Sequence, residues 1–457
     1  MQLKKQKIHF IAIGGSVMHN LAIELHRSGH TVSGSDDEIA EPSRSTLAAS
    51  GLLPAQSGWF PEKLDASLDF VILGMHARKD NPELLRAQEL KLKIVSFPEY
   101  IYEQSRNKQR IVVAGSHGKT TITAMLIHVL KACNRKFDYV IGAKVQGLDS
   151  TVRLSDDATI ILIEGDEYHC SALDPTPKFI RYQHHLGLIS GIAWDHANVF
   201  PSEDEYVHQF DLFADQTPKS GILIYNELDP LAMMVGKKGR ADIQEIGYKS
   251  HPHASDTTGQ LFLTSGKERY PIKIFGSHNL QNINAARELS KKLAIQPEDF
   301  LKAITTFEGA AGRLERVKES TTVTVFKDFA HAPSKVKATV KAVKETYPAR
   351  DLVACYELHT FSSLNKKFLP QYKDSLKGAI PVIYLDPEKV KAKNLDPISD
   401  EEIKAAFVAP NLTIFREPTA LREFLVKQPW KNKNLLMMSS GYFGGLDIKS
   451  LANEIVG

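Results

Sequence analysis

The sequence has 457 residues, of which 42% are apolar and 24% charged, and its formal net charge at pH 7 is +3. This length predicts about three globular domains, and the near-neutral charge favours neither nucleic acid nor an anionic membrane as the main partner. The three cysteines, Cys133, Cys170 and Cys355, lack metal or disulfide spacing, which is typical of a reducing cytoplasm. Since no apolar run approaches the roughly 20 residues of a membrane span, we expect a cytoplasmic protein without membrane insertion.

The first elements predict a βαβ unit of the kind that binds nucleotides. A strand, a helix and a second strand are predicted at residues 8–13, 18–26 and 31–36. The turn after the first strand is Gly14-Gly15-Ser16, and the second strand ends at Ser35 and Asp36. A glycine turn of this kind holds a diphosphate, and the following acid holds a ribose. Because the full GxGxxG pattern is absent, a diphosphate with a ribose is favoured over NAD, and a plain α/β turn stays an alternative.

Two further strands complete a first Rossmann-like domain. They are predicted at residues 69–74 and 94–97. His76 follows the earlier strand, at the end of a parallel sheet where α/β proteins bind ligands. The polar run 103–109 predicts a linker, so we place the domain boundary near residue 107.

The next stretch predicts a phosphate loop. A buried strand at 110–114 and a helix at 122–130 flank a tight turn. The turn consists of Gly115, Ser116, His117, Gly118, Lys119, Thr120 and Thr121. Its backbone N–H groups and the helix dipole converge on one point and bind an anion. Lys119 adds a charge for the terminal phosphates and Thr120 a hydroxyl suited to Mg²⁺, so we expect a nucleotide phosphate site.

Two apolar strands in the middle of the chain end in polar residues. The strand at 159–164 ends in Glu164, and in phosphate-loop enzymes such an acid holds Mg²⁺ directly or through water. A capping role for this acid stays open. The strand at 186–192 precedes His196, which is either a metal ligand or a structural histidine.

A polar segment opens the helix that is predicted at residues 279–292. It contains His278, Asn279 and Asn282, which either contact an adenine or cap the helix. Arg313 follows at the end of this domain, where a guanidinium group is suited to a phosphate.

The last third of the chain predicts another α/β unit. Strands are expected at 323–328, 351–356, 379–385 and 434–439, and a helix at 334–347. The polar residues Asp328, His331 and His359 follow the first two strands. Ser440 to Gly445 form a glycine-rich turn that lets the backbone approach a ligand.

The order of these motifs resembles the Mur ligases, the ATP-dependent amide-bond-forming enzymes of bacterial peptidoglycan, over nearly the whole chain. GSHGKTT is similar to their GTHGKTT, and the groups around His278, Arg313 and Asp328 fall at the family's spacings. The resemblance implies three domains: a Rossmann-like UDP-sugar-binding domain at 1–107, a central P-loop ATPase-like domain at 108–315, and a Rossmann-like domain at 316–457 for the acceptor and for closing over the nucleotide.

The resemblance also implies roles for individual residues. ATP phosphorylates the carboxylate of UDP-N-acetylmuramate, and the acceptor amine then displaces phosphate. Lys119, Glu164 and His196 are the implied catalytic residues, and Mg²⁺ is bound by Thr120, Glu164 and His196. The ATP contacts implied are Gly115, Ser116, His117, Gly118, Lys119, Thr120, Thr121, His278, Asn279, Asn282, Arg313, Asp328 and His331. The UDP-sugar contacts implied are Gly14, Gly15, Ser16, Ser35, Asp36 and His76, and the acceptor contact is His359.

Within the family, several segments are more similar to members that attach L-alanyl-γ-D-glutamyl-meso-diaminopimelate than to members that attach L-alanine. Ala193, His208, Ala332 and Thr360 depart from the residues of close relatives, and relatives place an arginine at His359-Thr360. Three alternatives stay open: an L-alanine-adding ligase, a weakly active or inactive homologue that binds the UDP-muramoyl nucleotide, and an NAD-dependent oxidoreductase. We expect a monomer or weak dimer.

Overall fold

The computed structural model describes residues 5–143, 145, 147–197, 199–256, 260–409 and 411–457. The chain is a multidomain α/β protein built on parallel sheets, as predicted. It forms two compact units. The first contains the residues up to Ile192, His208–Tyr248 and Glu288–Ile295, and the second contains Ala193–Val207, Lys249–Arg287 and Gln296–Gly457.

The first sheet lies in the first unit and has four parallel strands in the order β2-β1-β3-β4. Its elements are β1 (Lys7–Ile11), α1 (Met18–Arg27), β2 (Thr31–Ser35), α2 (Ser43–Ala49), a 3₁₀ turn (Pro61–Lys63), β3 (Phe70–Leu73), α3 (Pro82–Glu89), β4 (Ile94–Ser96) and α4 (Phe97–Gln104). The prediction of a linker over 103–109 is wrong at both ends, because α4 continues to Gln104 and the next strand begins at Gln109. A capping box between Ser96 and Glu99 fixes the start of α4, and its buried face outweighs the polar composition of its end.

The second sheet has seven strands in the order β13-β12-β11-β5-β8-β6-β7, and only the β6–β7 pair among these is antiparallel. Its strands are β5 (Gln109–Ala114), β6 (Asp138–Val140), β7 (Val152–Arg153), β8 (Ile160–Glu164), β11 (Leu186–Ile189), β12 (Ile222–Asn226) and β13 (Gln244–Tyr248). The helices between them are α5 (Lys119–Ala132), α6 (Lys178–Arg181), α7 (Glu203–Asp215) and α8 (Pro230–Gly236), and a hairpin is formed by β9 (His169–Ser171) and β10 (Asp174–Pro177). The strands β5 and β11 carry near-continuous apolar runs because helices cover both faces of a parallel sheet.

The second unit contains a small antiparallel sheet and a six-stranded sheet. The small sheet is β14 (His253–Ser255), β15 (Leu261–Ser265) and β16 (Glu268–Pro271), and it precedes α9 (Ser277–Lys292) and α10 (Pro297–Ile304). These strands were not predicted from the sequence, because they are short and half-exposed and lack a buried apolar run.

The six-stranded sheet has the order β17-β18-β22-β19-β20-β21, with β17 antiparallel to β18 and the other pairs parallel. Its strands are β17 (Glu315–Glu319), β18 (Thr324–Asp328), β19 (Asp351–Glu357), β20 (Ile380–Tyr384), β21 (Thr413–Phe415) and β22 (Lys433–Met438). Its helices are α11 (Pro333–Thr346), α12 (Pro387–Ala392), α13 (Asp400–Phe407), α14 (Pro418–Val426) and α15 (Ile448–Val456), with 3₁₀ turns at Leu369–Tyr372 and Phe443–Gly445. Alternate residues of β22 enter different apolar clusters, Leu436 and Met438 in one and Leu435 and Met437 in the other, so this sheet is packed on both faces.

None of the helices in the described part of the chain combines the length and hydropathy that a bilayer crossing demands.

Candidate active site

The phosphate loop between β5 and α5 depends on two glycines with left-handed backbone conformations. Gly115 has φ = 132°, and Gly118, the N-cap of α5, has φ = 84°. A Cβ atom on Gly115 would lie 2.2 Å from Ser190 Oγ. The Ser190 hydroxyl donates to the carbonyl groups of Ala114 and His117, and Ser116 N donates to Gly191 O at 2.8 Å. The end of β11 therefore holds the loop closed against it.

Lys119 is the first residue of α5, and its ammonium group is paired inside the loop. Its Nζ donates to Gly115 O and lies 2.7 Å from Glu167 Oε2. Burial lowers the pKa of Lys119, but the Glu167 carboxylate outweighs burial and leaves the pKa above its ordinary value. The lysine is therefore charged and held where a terminal phosphate would enter.

Thr120 and Glu164 form a hydroxyl–carboxylate pair beside the loop. Thr120 Oγ1 donates to Glu164 Oε1 at 2.6 Å, and Gly142 N donates to Glu164 Oε2 at 2.7 Å. These hard oxygen donors suit Mg²⁺, which keeps water and phosphate oxygens as its other ligands. Among the described residues, no group of three or more His, Cys, Asp or Glu side chains could hold a metal alone. The Thr120–Glu164 pair fits an ion whose remaining ligands are water and phosphate oxygens.

A second lysine, at the start of α6, is paired with a carboxylate that follows β8. Lys178 Nζ is 2.8 Å from Asp166 Oδ2, and the Lys178 side chain is only 9% exposed. The His76 ring loses solvation to its surroundings, which lowers its pKa; the charge of Lys178 lowers it further, and Asp166 and Asp37 act in the opposite direction. His76 is therefore close enough to feel this ion pair.

The glycine turn of the first sheet is built around Asp36. Gly14 N donates to Asp36 Oδ2 at 2.7 Å, and a Cβ atom on Gly14 would lie 2.9 Å from the same oxygen. Burial is the main cause that raises the pKa of Asp36 to about 6. Gly15 O accepts from His19, Ser16 O accepts from Asn20, and Ser35 Oγ is 3.4 Å from Lys63 Nζ. Ser35 is fully buried.

In the second unit, Asp195 is surrounded by two histidines and a lysine. His331 Nε2 and Lys335 Nζ lie 3.6 and 3.5 Å from Asp195 Oδ2, and His196 Nδ1 lies 3.8 Å from Oδ1. Burial raises the pKa of Asp195, but His196, His331 and Lys335 outweigh it and hold the pKa well below its usual range. His331 Nδ1 shares a hydrogen bond of 2.8 Å with Phe329 O, which leaves Nε2 facing Asp195.

The other predicted nucleotide residues of the second unit are mainly buried. Asn279 Nδ2 donates to Phe275 O at 2.8 Å, and Asn282 Nδ2 donates to Asn279 Oδ1 at 3.3 Å. Burial lowers the pKa of His278, whereas Asp328 and Glu345 raise it. The side-chain amides of Asn279 and Asn282 thus already form hydrogen bonds within the protein.

Two further contacts involve the end of β18. Thr339 Oγ1 donates to Asp328 Oδ2 at 2.6 Å. The Arg313 guanidinium lies 4.5 Å from the centre of the Phe329 ring, which is 41% exposed. A cation–π contact of this kind holds the guanidinium group over the exposed ring.

His359, the predicted acceptor residue, lies against a buried carboxylate. Glu357 is 3% exposed and accepts hydrogen bonds from Ser439 Oγ and from Phe443 N, the latter at 2.9 Å. Its Oε1 is 3.6 Å from His359 Nδ1. A Cβ atom on Gly441 would lie 2.6 Å from that nitrogen, so the glycine-rich turn packs directly on the histidine.

The predicted residues thus occur in two groups. The first unit holds Gly14, Gly15, Ser16, Ser35, Asp36, His76, the loop from Gly115 to Thr121, and Glu164; the second unit holds His196, His278, Asn279, Asn282, Arg313, Asp328, His331 and His359. The sequence reasoning did not assign roles to Lys178, Ser190, Lys335 and Glu357. Lys178 and Glu357 could have been found as charged residues at strand ends or helix starts, but no local signal predicts their partners.

Two family models match consecutive parts of the chain. Residues 7–109 match "Mur ligase family, catalytic domain", and residues 113–289 match "Mur ligase middle domain". Together these matches cover more than half of the sequence, including both glycine turns.

Full-length relatives agree with these matches. The UDP-N-acetylmuramate–L-alanyl-γ-D-glutamyl-meso-2,6-diaminoheptandioate ligase of Escherichia coli K12 is 28% identical over 97% of both chains. The UDP-N-acetylmuramate–L-alanine ligase of Caldicellulosiruptor bescii is 28% identical over 87% of both.

Two solved structures share the fold. A murein peptide ligase from Psychrobacter arcticus has a TM-score of 0.70 at 22% identity over 99% of both chains. The UDP-N-acetylmuramate–alanine ligase of Thermotoga maritima has a TM-score of 0.72 at 21% identity over 99% of this chain and 98% of its own. The phosphate loop, its Thr120–Glu164 oxygen pair, the family matches and these relatives together make the chain a member of the Mur ligase family, ATP-dependent amide-bond-forming enzymes that use Mg²⁺.

Proposed function

We propose that the protein joins UDP-N-acetylmuramate to L-alanyl-γ-D-glutamyl-meso-diaminopimelate, through an acyl phosphate formed with ATP. Lys119 neutralises the transferring phosphoryl group, and Thr120 and Glu164 would hold the Mg²⁺ that offsets the negative charge of the triphosphate. Both anions, the muramoyl carboxylate and the triphosphate, need positive charge before one can attack the other. The Gly14 turn with Asp36 is assigned to the diphosphate and ribose of the UDP-sugar, and His359 to the acceptor.

The residues around His359 support the tripeptide, rather than L-alanine, as the acceptor. The segment 357–363 contains no arginine, and the Thr360 hydroxyl is engaged by Ser363, whose N lies 3.1 Å from it. The nearby cation Lys366 pairs with Glu402 at 2.8 Å. L-Alanine offers little besides its carboxylate, so it depends most on an arginine fork. A tripeptide brings further groups whose remote contacts supply orientation.

The test is initial-rate ADP formation at saturating ATP, Mg²⁺ and UDP-N-acetylmuramate, with the tripeptide and L-alanine as alternative acceptors. We expect kcat/KM for the tripeptide to exceed that for L-alanine at least tenfold, or about 1.4 kcal/mol of transition-state binding. Preference for L-alanine would assign the protein to the alanine-adding ligases. Binding of the UDP-sugar without turnover of either acceptor would leave the binding-only homologue.

A further inference from the structure

We infer that Lys178 is a specificity-determining residue of the UDP-sugar site, where it binds the lactyl carboxylate that ATP phosphorylates. This inference rests on the proposed function and adds a residue to it. The reaction brings together two anions, and Lys119 is placed for only one of them, the phosphate.

The position of Lys178 is fixed by its neighbour Phe179. The Phe179 side chain is fully buried, with its ring centroid 5.2 Å from those of Phe210 and Phe213. Gly165 makes room for it, because a Cβ atom there would lie 3.0 Å from Phe179 Cβ. The buried Phe179 side chain therefore fixes the backbone at the neighbouring Lys178 and so the position of its charge.

The backbone ties Lys178 to the acidic loop after β8. Lys178 N donates to Tyr168 O at 2.9 Å, and Phe179 N donates to Asp166 O at 3.1 Å. The same loop contains Glu167, the partner of Lys119. The two lysines are therefore held by neighbouring carboxylates of one short loop.

Lys178 also faces the first sheet. It begins α6, which packs against α4, and its charge acts on the ring of His76, in the loop that follows β3. The cation thus lies near the loop that follows β3 of the first sheet and is paired with Asp166, the sequence neighbour of the carboxylate that holds Lys119. A carboxylate carried by the UDP-sugar has to reach this place to meet the terminal phosphate.

In the proposed step a carboxylate oxygen attacks the γ-phosphorus atom of ATP. The new O–P bond forms as the bond between that phosphorus and the bridging oxygen breaks, giving acyl phosphate and ADP without proton transfer. Before substrate binds, Asp166 forms an ion pair with Lys178, as Glu167 does with Lys119. A buried ammonium needs an anionic partner at all times, and the substrate carboxylate replaces Asp166.

The test compares calorimetric binding of UDP-N-acetylmuramate and UDP-N-acetylglucosamine, which lacks the lactyl carboxylate, to the full chain without ATP. The wild type should prefer the muramate, and Lys178→Gln should reduce that preference on the order of tenfold, as for loss of a charge-assisted hydrogen bond. The control is Lys238→Gln, which removes a similarly shielded lysine from Asp211 and Asp215 and should leave the preference unchanged.

Asp166→Asn provides the second arm, because it removes the competing anion and keeps the lysine. It should raise the preference for the muramate, whereas a purely structural ion pair predicts equal losses for both sugars in both variants. Unchanged preference in Lys178→Gln, or an Asp166→Asn preference that does not rise, would overturn the inference alone. A wild type that binds neither sugar would instead overturn the proposed function.

Discussion

At the scale of single residues, Lys119 combines a proposed catalytic charge with a structural partner, Glu167. Glu167 has a side chain that is 2% exposed, so loss of the lysine takes the ammonium group away from a buried carboxylate. We expect Lys119→Met to lower ATP-dependent turnover by about 10²–10³ and to destabilise the protein by roughly 3–5 kcal/mol. ADP formation and thermal unfolding measure the two effects.

The double variant Lys119→Met/Glu167→Gln separates the effect on turnover from the effect on stability. Removing both charges should restore most of the melting temperature but none of the turnover, because the neutral pair no longer buries a carboxylate without its lysine and still lacks the cation for the phosphate. A double variant that regains turnover would show that Lys119 acts only by balancing Glu167.

Asp36 gives a pH dependence of stability. Because its pKa is raised to about 6 in the folded protein, the folded state binds a proton more tightly than the unfolded state. Stability from this group is therefore greatest at low pH and falls as pH rises from the unfolded pKa of about 3.9 to about 6. Asp36→Asn keeps an acceptor for Gly14 N and removes the ionisation.

The variant should gain on the order of 2 kcal/mol over the wild type between pH 4 and pH 7. Melting temperatures of both proteins across this range measure the difference. The other titrating groups are the same in the two proteins, so their contributions cancel. A constant difference would mean that Asp36 titrates normally. We also expect weaker UDP-sugar binding by this variant if the carboxylate holds the ribose.

At the scale of elements, the phosphate loop depends on the space that glycine leaves against β11. Gly115→Ala combines a positive φ with a Cβ atom 2.2 Å from Ser190 Oγ. We expect loss of ATP binding and a destabilisation above the roughly 1–2 kcal/mol of a left-handed residue alone. Gly239→Ala is a matched control, since Gly239 has φ = 67° and no neighbour within 4 Å of a Cβ atom.

The control should cost about 1 kcal/mol and leave ATP binding unchanged. Nucleotide titration and chemical unfolding of both variants make the comparison. Equal ATP affinity in the two variants would exclude close packing against Ser190 as the reason for this glycine.

The sequence predicts these elements well where a buried strand meets a glycine turn. The helix α5 and the strand β5 follow from apolar periodicity and the turn residues, and their observed ends differ from the predictions by only a few residues. The antiparallel strand β17 was missed because its residues other than Val317 are charged and give no apolar run. It is specified by pairing with β18, which is a tertiary interaction.

Site residues follow the same rule. Lys119, Thr120 and Glu164 were predicted because each stands in a local motif. Lys178 does not stand in a recognisable motif. Its pairing with Asp166 depends on a fold that brings the loop after β8 to the start of α6. Sequence patterns thus predict residues that stand in local motifs, and they miss residues whose partners come from a distant segment of the chain.

At the scale of the whole molecule, the predicted division at residue 315 can be tested directly. The second compact unit includes 193–207 and 249–287 as well as 296–457. Phe275 belongs to its buried apolar cluster and lies 5.9 Å from the Phe326 ring, and Trp194 packs on the same cluster with its ring 5.2 Å from Phe368.

A fragment of residues 1–315 would lack Phe326 and Phe368, so Phe275 and Trp194 would both lose packing partners. For Phe275, which is buried in the full chain, full burial is worth about 1.5–3 kcal/mol. We expect the fragment to bind a hydrophobic dye and to show red-shifted emission from Trp194. Trp59→Phe in the fragment, compared with Trp59→Phe/Trp430→Phe in the full chain, isolates that residue. Unshifted emission and no dye binding would show instead that residues 1–315 fold independently, because Trp194 and Phe275 would then have found burial without the C-terminal sheet.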